Sequence, residues 1–283
     1  MSDQPPSLLF FLSGPPTKAS ARVRGYWLAD ALREQGVSCT TLHGDTRATY
    51  LKALTHVLRH GVIYFQKRYC RWDIWLMRMA SRLGKTTVLD LDDAPSKDAH
   101  PVTLRNVERM MRGVSLVTVG SQNLLDYAKQ YQPNAHLLPS SIKLGNYPVR
   151  EARPDPDAPI CLGWIGNGRQ YAEDLIQILA QPLRELAAKQ PLRFRIVGAG
   201  GVPDLYDTFG NIPGLDTTFV DNIDWADPAA VIRELHQFDI GLYPLLTTPA
   251  NRMKCAFKAL EYMAVGIPVV ASPIGANATV IED

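Results

Sequence analysis

The chain has 283 residues, enough for two domains of ordinary size, each with its own core. Its residues are 46% hydrophobic and 20% charged, a globular profile that excludes disordered and fibrous classes. A formal net charge of +2 gives no electrostatic reason to expect a nucleic-acid partner. Cys39, Cys70, Cys161 and Cys255 are scattered without metal-type or redox-type spacing, and read as reduced thiols of a cytoplasmic protein. No apolar run reaches membrane-spanning length, and the acidic, Pro-rich start is not a signal peptide.

The first half alternates strand-like and helix-like runs. Strands are expected at 8–12, 38–42, 62–65, 86–91, 116–119 and 136–138, with helices at 20–35, 51–58, 72–83, 102–111 and 121–131 between them. This interval implies a parallel, doubly wound sheet. Residues 1–150 are therefore expected to form one Rossmann-like domain. Residues 151–159, Pro-rich and polar, read as a linker to a second domain at 160–283. There the alternation restarts, with strands at 161–165, 194–197 and 217–220 and helices at 172–188 and 229–237.

The richest stretch follows. Residues 239–245 read as a buried strand and 247–251 as a polar loop. Helix-forming sequence from Asn251 then runs to Gly266, whose place before Pro268 marks a stop, and Val269, Val270 and Ala271 make an apolar strand. On one continuous helix, Lys254, Lys258 and Glu261 would fall within about 60° of one another. Two ammonium groups and a carboxylate suit a diphosphate and a ribose diol respectively. The bland alternative is a solvated helix with an i,i+3 Lys258–Glu261 pair. The helix starts at the carboxyl end of a strand, where open α/β sheets bind ligands.

The segment DIGLYPLLTTPANRMKCAFKALEYMAVGIPVVASPIGAN resembles the donor-binding segment of retaining nucleotide-sugar glycosyltransferases of glycosyltransferase-B fold, the family 4-like group 1. The resemblance implies two Rossmann-like α/β domains facing a cleft, and transfer of a sugar from a nucleotide-diphosphate sugar to a saccharide or lipid-linked acceptor. It implies retention of anomeric configuration without a bound metal or other cofactor. Glu261 matches the family's ribose-binding Glu, whereas Met253 stands where many members carry a Glu that contacts the sugar. The chain stops at Asp283, before the strand–helix unit and closing helix with which the family continues. The apolar strand is accordingly expected to bind a partner, or a second copy, at an incompletely covered edge.

Other stretches take their meaning from the same resemblance. Gly166, Asn167, Gly168 and Arg169 follow the first strand of the second domain, where the family places a diphosphate-binding loop. Two glycines let backbone amides approach an anion, and a tight turn with an exposed Arg is the plain alternative. Gly198, in a Gly-rich turn, and Asn222, Ile223 and Trp225 correspond to the surroundings of the donor base, Trp225 having buried packing as its alternative. The turn is no dinucleotide fingerprint, because Pro203 replaces the third Gly. Arg169, Lys254 and Lys258 are the residues expected to stabilise the departing diphosphate, with no side-chain nucleophile.

In the first domain, Arg22 and Arg24 open a helix against its dipole and are assigned to the acceptor side, the alternative being an Arg24–Asp30 ion pair. Asp92 and Asp93 close a strand with Asp90 and are also assigned there, with helix capping as alternative and His100 nearby. Lys67, Arg68, Arg71, Arg78, Arg82 and Lys85 interleave with Tyr64, Phe65, Tyr69, Trp72 and Trp75. This reads either as peripheral contact with the inner membrane face or as a buried helix with a solvated basic edge. Two further functions stay open: a nucleotide-sugar-binding protein without transfer activity, and a sugar-nucleotide epimerase on the same fold.

Overall fold

The computed structural model describes residues 7–93, 100–151 and 157–281. The linker reading rests largely on residues 152–156, which lie outside the described residues. The chain divides into two units, one comprising residues 1–140 and 252–255, the other 141–251 and 256–283. The division falls earlier than the sequence implied. Arg150 explains this, because its guanidinium pairs with Asp239 at 2.9 Å and its amide donates to the Val265 carbonyl.

The first unit is a parallel six-stranded sheet in the order β2-β1-β3-β4-β5-β6. Its strands are β1 Leu8–Leu12, β2 Cys39–His43, β3 Val62–Gln66, β4 Thr86–Leu91, β5 Leu116–Val119 and β6 Ala135–Leu137. Its helices are α1 Ala19–Ala21, α2 Trp27–Glu34, α3 Arg47–Arg59, α4 Arg71–Arg82, α5 Pro101–Gly113 and α6 Gln122–Lys129. The expected helix over 20–35 is not uniform. Arg22–Tyr26 forms a π-helical turn between α1 and α2, and a Cβ on its Gly25 would lie 2.4 Å from the Leu12 side chain. Helices α3 to α6 cover one face through a core that includes Phe11, Phe65, Leu76 and Met110; α2 covers the other with Phe10, Ala29 and Tyr64. Burying each such large side chain is worth about 1.5–3 kcal/mol.

The second unit is a parallel five-stranded sheet in the order β11-β10-β7-β8-β9. Its strands are β7 Ile160–Ile165, β8 Leu192–Val197, β9 Leu215–Val220, β10 Ile240–Tyr243 and β11 Val269–Ala271. Its helices are α7 Gly168–Ala187, α8 Pro203–Phe209, α9 Pro228–Leu235, α10 Phe257–Ala264 and α11 Asn277–Val280. α8 was not foreseen; Pro at its first turn starts it, and Leu205 and Phe209 anchor it in the core. Val270, on the edge strand, is 61% exposed.

Strand order reverses between β7 and β10, so this unit's ligand crevice is expected at their carboxyl ends. The two strands pair only at Ile240–Leu162 and Gly241–Gly163. Beyond that, the Tyr262 hydroxyl takes the place of a ladder hydrogen bond, accepting from the Ile165 amide at 3.2 Å and donating to the Leu242 carbonyl at 3.3 Å. Gly241 leaves room for the Tyr262 ring, and Gly163 for that of Phe238; a Cβ at either would lie 2.5 Å or less from the ring. The crevice is thus wedged open by one buried aromatic residue.

Candidate functional site

The helix carrying Glu261 is shorter than the sequence implied. Asn251–Met253 is a single 3-10 turn, Ala256 adopts the left-handed conformation with φ 57, and α10 begins only at Phe257. Lys254 is therefore not on the helix face that carries Lys258 and Glu261. It belongs to the segment 252–255 that groups with the first unit, where Ser121 donates to the Met253 carbonyl and Asn123 to that of Arg252. The N-cap residue of α10, Ala256, has no side chain with which to cap the first turn.

Lys258 is held by aromatic faces. Its ammonium lies 3.9 Å from the Tyr171 ring centroid, 5.1 Å from that of Tyr243 and 5.7 Å from that of Trp164. It makes no ion pair with a described residue, so aromatic faces rather than a carboxylate surround it. Its Cε lies 2.5 Å from where a Cβ on Gly166 would stand. The ammonium is thereby placed beside the loop that ends β7. Glu261 is 7% exposed and accepts a 2.9 Å hydrogen bond from the Tyr147 hydroxyl. The Lys258–Glu261 pair of the bland alternative is not among the ion pairs of the described residues.

The glycines of the β7 loop have a tertiary reason. Gly166 donates to the Val197 carbonyl at 2.9 Å and Gly168 to that of Gly198 at 2.7 Å. These two amides are already bonded to the β8 turn and are not open to an anion, contrary to the sequence expectation. A Cβ on Gly198, which has φ 84, would lie 1.9 Å from the Gly166 carbonyl oxygen. A Cβ on Gly168 would lie 2.4 Å from that of Ala199. Asn167 precedes α7 and is exposed, as is Arg169, whose Nε donates weakly to the Gly200 carbonyl at 3.4 Å.

The β8 turn is fixed in its turn by Asp221, which accepts from the Gly201 amide and the Tyr206 hydroxyl. The Tyr206 bond is the main cause that pulls the Asp221 carboxyl below its usual range. Asn222 accepts from the Trp225 indole at 2.9 Å, and the Trp225 ring stands 3.0 Å from a Cβ placed on Gly198. Trp225 is half-buried rather than a core residue, and Ile223 beside it is half-buried too. Asp174, missed in the sequence, is buried on α7 and accepts from the Leu246 amide and the Asn251 side chain, both at 2.7 Å. It pins the loop between β10 and α10.

In the first unit, Arg24 is not a free cation. It is 4% exposed and forms a fork on the fully buried Asp90, with Nε donating at 3.0 Å and Nη2 at 2.5 Å. Its remaining nitrogen donates to the Leu138 carbonyl, and Thr118 donates to Asp90. The expected alternative fails as well, because Asp30 pairs with Arg33. Arg24 therefore ties the π-helical turn to β4 inside one core and does not reach out to an acceptor. Arg22 donates to the Pro16 carbonyl and stands over the Trp27 ring at 5.9 Å.

Asp92 and Asp93 have a resident counter-ion. Lys67, left-handed at φ 48 just after β3, places its ammonium 3.1 Å from Asp92 and 2.5 Å from Asp93. Burial alone would lower the Lys67 pKa, but the two carboxylates more than offset it and keep the ammonium charged. Arg68 is 3% exposed, lies 3.9 Å over the Phe11 ring and binds Asp73, Tyr50 and Asp45. Lys67 and Arg68 thus leave the basic surface the sequence assigned them to. They line a cavity of about 260 Å³ with Ser13, Tyr69, Thr103 and Asn106. It opens at the carboxyl ends of β1 and β3, where this sheet reverses order. His100 caps α5, accepting from the Val102 amide.

Comparison with known proteins closes the description. Residues 160–283 match the family model described as glycosyl transferases group 1. A search of curated proteins finds no match. Among solved structures, the chain is similar to an alpha-glucosyltransferase in complex with UDP and a 13-mer DNA containing a HMU base. That match has TM-score 0.62 at 11% identity, covering 95% of this chain and 80% of the other. The lipopolysaccharide outer core galactosyltransferase WaaB follows at TM-score 0.56 and 11% identity, covering 98% and 83%. The UDP-GlcNAc 2-epimerase from Methanocaldococcus jannaschii has TM-score 0.55 at 8% identity, covering 97% and 86%. Likeness at these identities shows the fold alone. The chain has the glycosyltransferase-B fold, and its residues 160–283 match the model of the glycosyl transferases group 1 family.

Proposed function

We propose that the protein transfers a sugar from a nucleotide-diphosphate sugar to a saccharide or lipid-linked acceptor. One observation carries the reading. Lys258 presents an ammonium with no carboxylate partner among the described residues, beside the β7 loop, at the reversal point of a family-matched domain. A departing diphosphate is what such a cation would stabilise. In this reading the N-terminal dipole of α10 and Arg169 add to the same charge. Glu261, kept in place by Tyr147, accepts from the ribose hydroxyls. The base lies against the Gly198 turn, near Asn222, Ile223 and Trp225. Transfer proceeds with retention and without a metal, as the family resemblance implies, and the acceptor meets the first unit near Asp92 and Asp93.

Incubation with a panel of nucleotide sugars, followed by mass spectrometry, tests this directly. Release of nucleoside diphosphate, slow without an acceptor and faster with one, is the expected result. Binding without release would make the protein a nucleotide-sugar-binding module. An altered sugar still attached to its nucleotide would make it an epimerase. Neither binding nor release with any donor would overturn the reading altogether.

A further inference from the structure

The layer formed by α3, α4 and α5 has an outer face unlike the rest of the first unit. On α3, Leu51 is 66% and Leu58 61% exposed, flanked by exposed Lys52 and Arg59. On α4, Trp72 is 47% and Trp75 41% exposed. Helical geometry puts both indoles within about 120° of Arg71, Arg78 and Arg82. Buried Ile74, Leu76, Met77 and Ala80 occupy the opposite arc. Between α4 and α5 runs a groove of about 530 Å³ lined by four arginines, Arg78, Arg82, Arg109 and Arg112.

Among the described residues of these helices, no acid stands free on this face. α3 contains none; Asp73 of α4 is buried and bound to Arg68; Glu108 of α5 accepts from the Tyr131 hydroxyl. Arg78, Arg82 and Arg109 pair with no carboxylate among the described residues. Like charges kept together without counter-ions cost stability, so an anionic partner from outside the chain is the consistent explanation. That partner must also take up apolar surface. Aliphatic and indole side chains stand out between the arginines, where a phosphodiester backbone alone would give them nothing to bury. Indoles prefer a boundary with one apolar and one wet side, and arginine stems can lie along apolar surface with their heads in a charged layer.

We propose that the α3–α4–α5 face docks the protein on the anionic headgroup surface of a lipid bilayer. Trp72, Trp75, Leu51 and Leu58 enter the headgroup–acyl boundary, and the arginine groove holds the acidic headgroups. The proposal concerns a surface apart from the nucleotide site and does not depend on sugar transfer. The sequence offered, as one of two readings, a membrane contact on Lys67, Arg68, Arg71, Arg78, Arg82 and Lys85 with the aromatic residues among them. The structure removes the first two and adds the leucines of α3 and the arginines of α5.

Co-sedimentation of the full chain with phosphatidylglycerol-containing vesicles, against pure phosphatidylcholine vesicles, tests it. Binding to the acidic vesicles at low salt is expected, with release as salt rises. Each basic residue near an acidic surface contributes about fivefold in partition, so neutralising Arg78, Arg82 and Arg109 together to Gln should lower it roughly a hundredfold. Replacing the same three by Lys should retain most of it, and thermal midpoints report whether each variant is folded. Brominated lipid should quench the wild-type tryptophan emission, and Trp72→Ser with Trp75→Ser should remove that quenching. Absence of binding at low salt, an unaffected triple Gln variant, or absence of quenching would each overturn the proposal. Preferential binding to a DNA duplex over vesicles would overturn it in favour of a polyanion site.

Discussion

Replacing Tyr171 separates the aromatic hold on Lys258 from simple packing. The Tyr171 ring is the nearest of three around the ammonium, at 3.9 Å, and the residue is 7% exposed. A cation over an aromatic face is worth about 0.5–1 kcal/mol when exposed and about 2 when desolvated. The half-buried Lys258 lies between these limits. Tyr171→Leu should therefore let the ammonium leave the β7 loop, and weaken nucleoside diphosphate binding by about 5- to 30-fold. Tyr171→Phe keeps the ring and should stay within about twofold of wild type. Tyr171 also packs on Trp164 at 5.8 Å, an aromatic contact worth about 0.5–1.5 kcal/mol, so the Leu variant should melt lower as well. Calorimetric titration with nucleoside and with nucleoside diphosphate distinguishes the two effects, because only the diphosphate reports the position of the cation. Equal losses for both ligands, or a Phe variant as weak as the Leu variant, would refute the reasoning.

Three stability predictions follow from the same geometry. Asp90→Asn leaves Arg24 buried without its counter-charge and should cost about 3–5 kcal/mol in urea unfolding; a loss under 1 kcal/mol would mean that the pair is not closed in solution. Tyr262→Phe removes the hydroxyl between β7 and β10 and strands the Ile165 amide and the Leu242 carbonyl, for about 1–3 kcal/mol. An unchanged denaturation midpoint would contradict it. Gly198→Ala forces a Cβ toward the Gly166 carbonyl at a positive φ and should cost at least about 2 kcal/mol, whereas Gly201→Ala, also at positive φ but in open space, should cost less. The ordering of the two thermal midpoints checks this.

Features carried by local sequence were legible, and those made by distant partners were not. Alternating apolar runs and turn residues gave the strands of both sheets, because burial pattern and chain punctuation are local properties. Lys258 and Glu261 could be singled out on α10, since three positions along a helix share a face whatever surrounds it. The start of α10 could not, because Ala256 is held left-handed against its own preference by its surroundings. Arg24 was misassigned for a related reason: its partner Asp90 lies 66 residues away, and nothing near Arg24 in the chain announces it. The rings around Lys258 come from β7, α7 and β10, and only the fold assembles them. Gly166 and Gly168 stood out as turn glycines, but that their amides bond to the β8 turn could not be read from the chain. Asp174 and Tyr262, which fix the loop and the strand gap, are single polar atoms in otherwise ordinary helices.

The central claim, that the second unit holds a nucleotide diphosphate through Lys258 and Glu261, is tested most directly by one titration series. Wild type, Lys258→Ala and Glu261→Gln are each titrated with a panel of nucleoside diphosphates and with the matching nucleosides. Hydrogen bonds to charged groups are worth about 1.5–3 kcal/mol, or roughly 10- to 150-fold in affinity. Lys258→Ala should lose that much for the diphosphate and almost nothing for the nucleoside, whereas Glu261→Gln should weaken both through the ribose. Binding of every diphosphate by Lys258→Ala as tightly as by wild type would contradict the account, as would wild type that binds none.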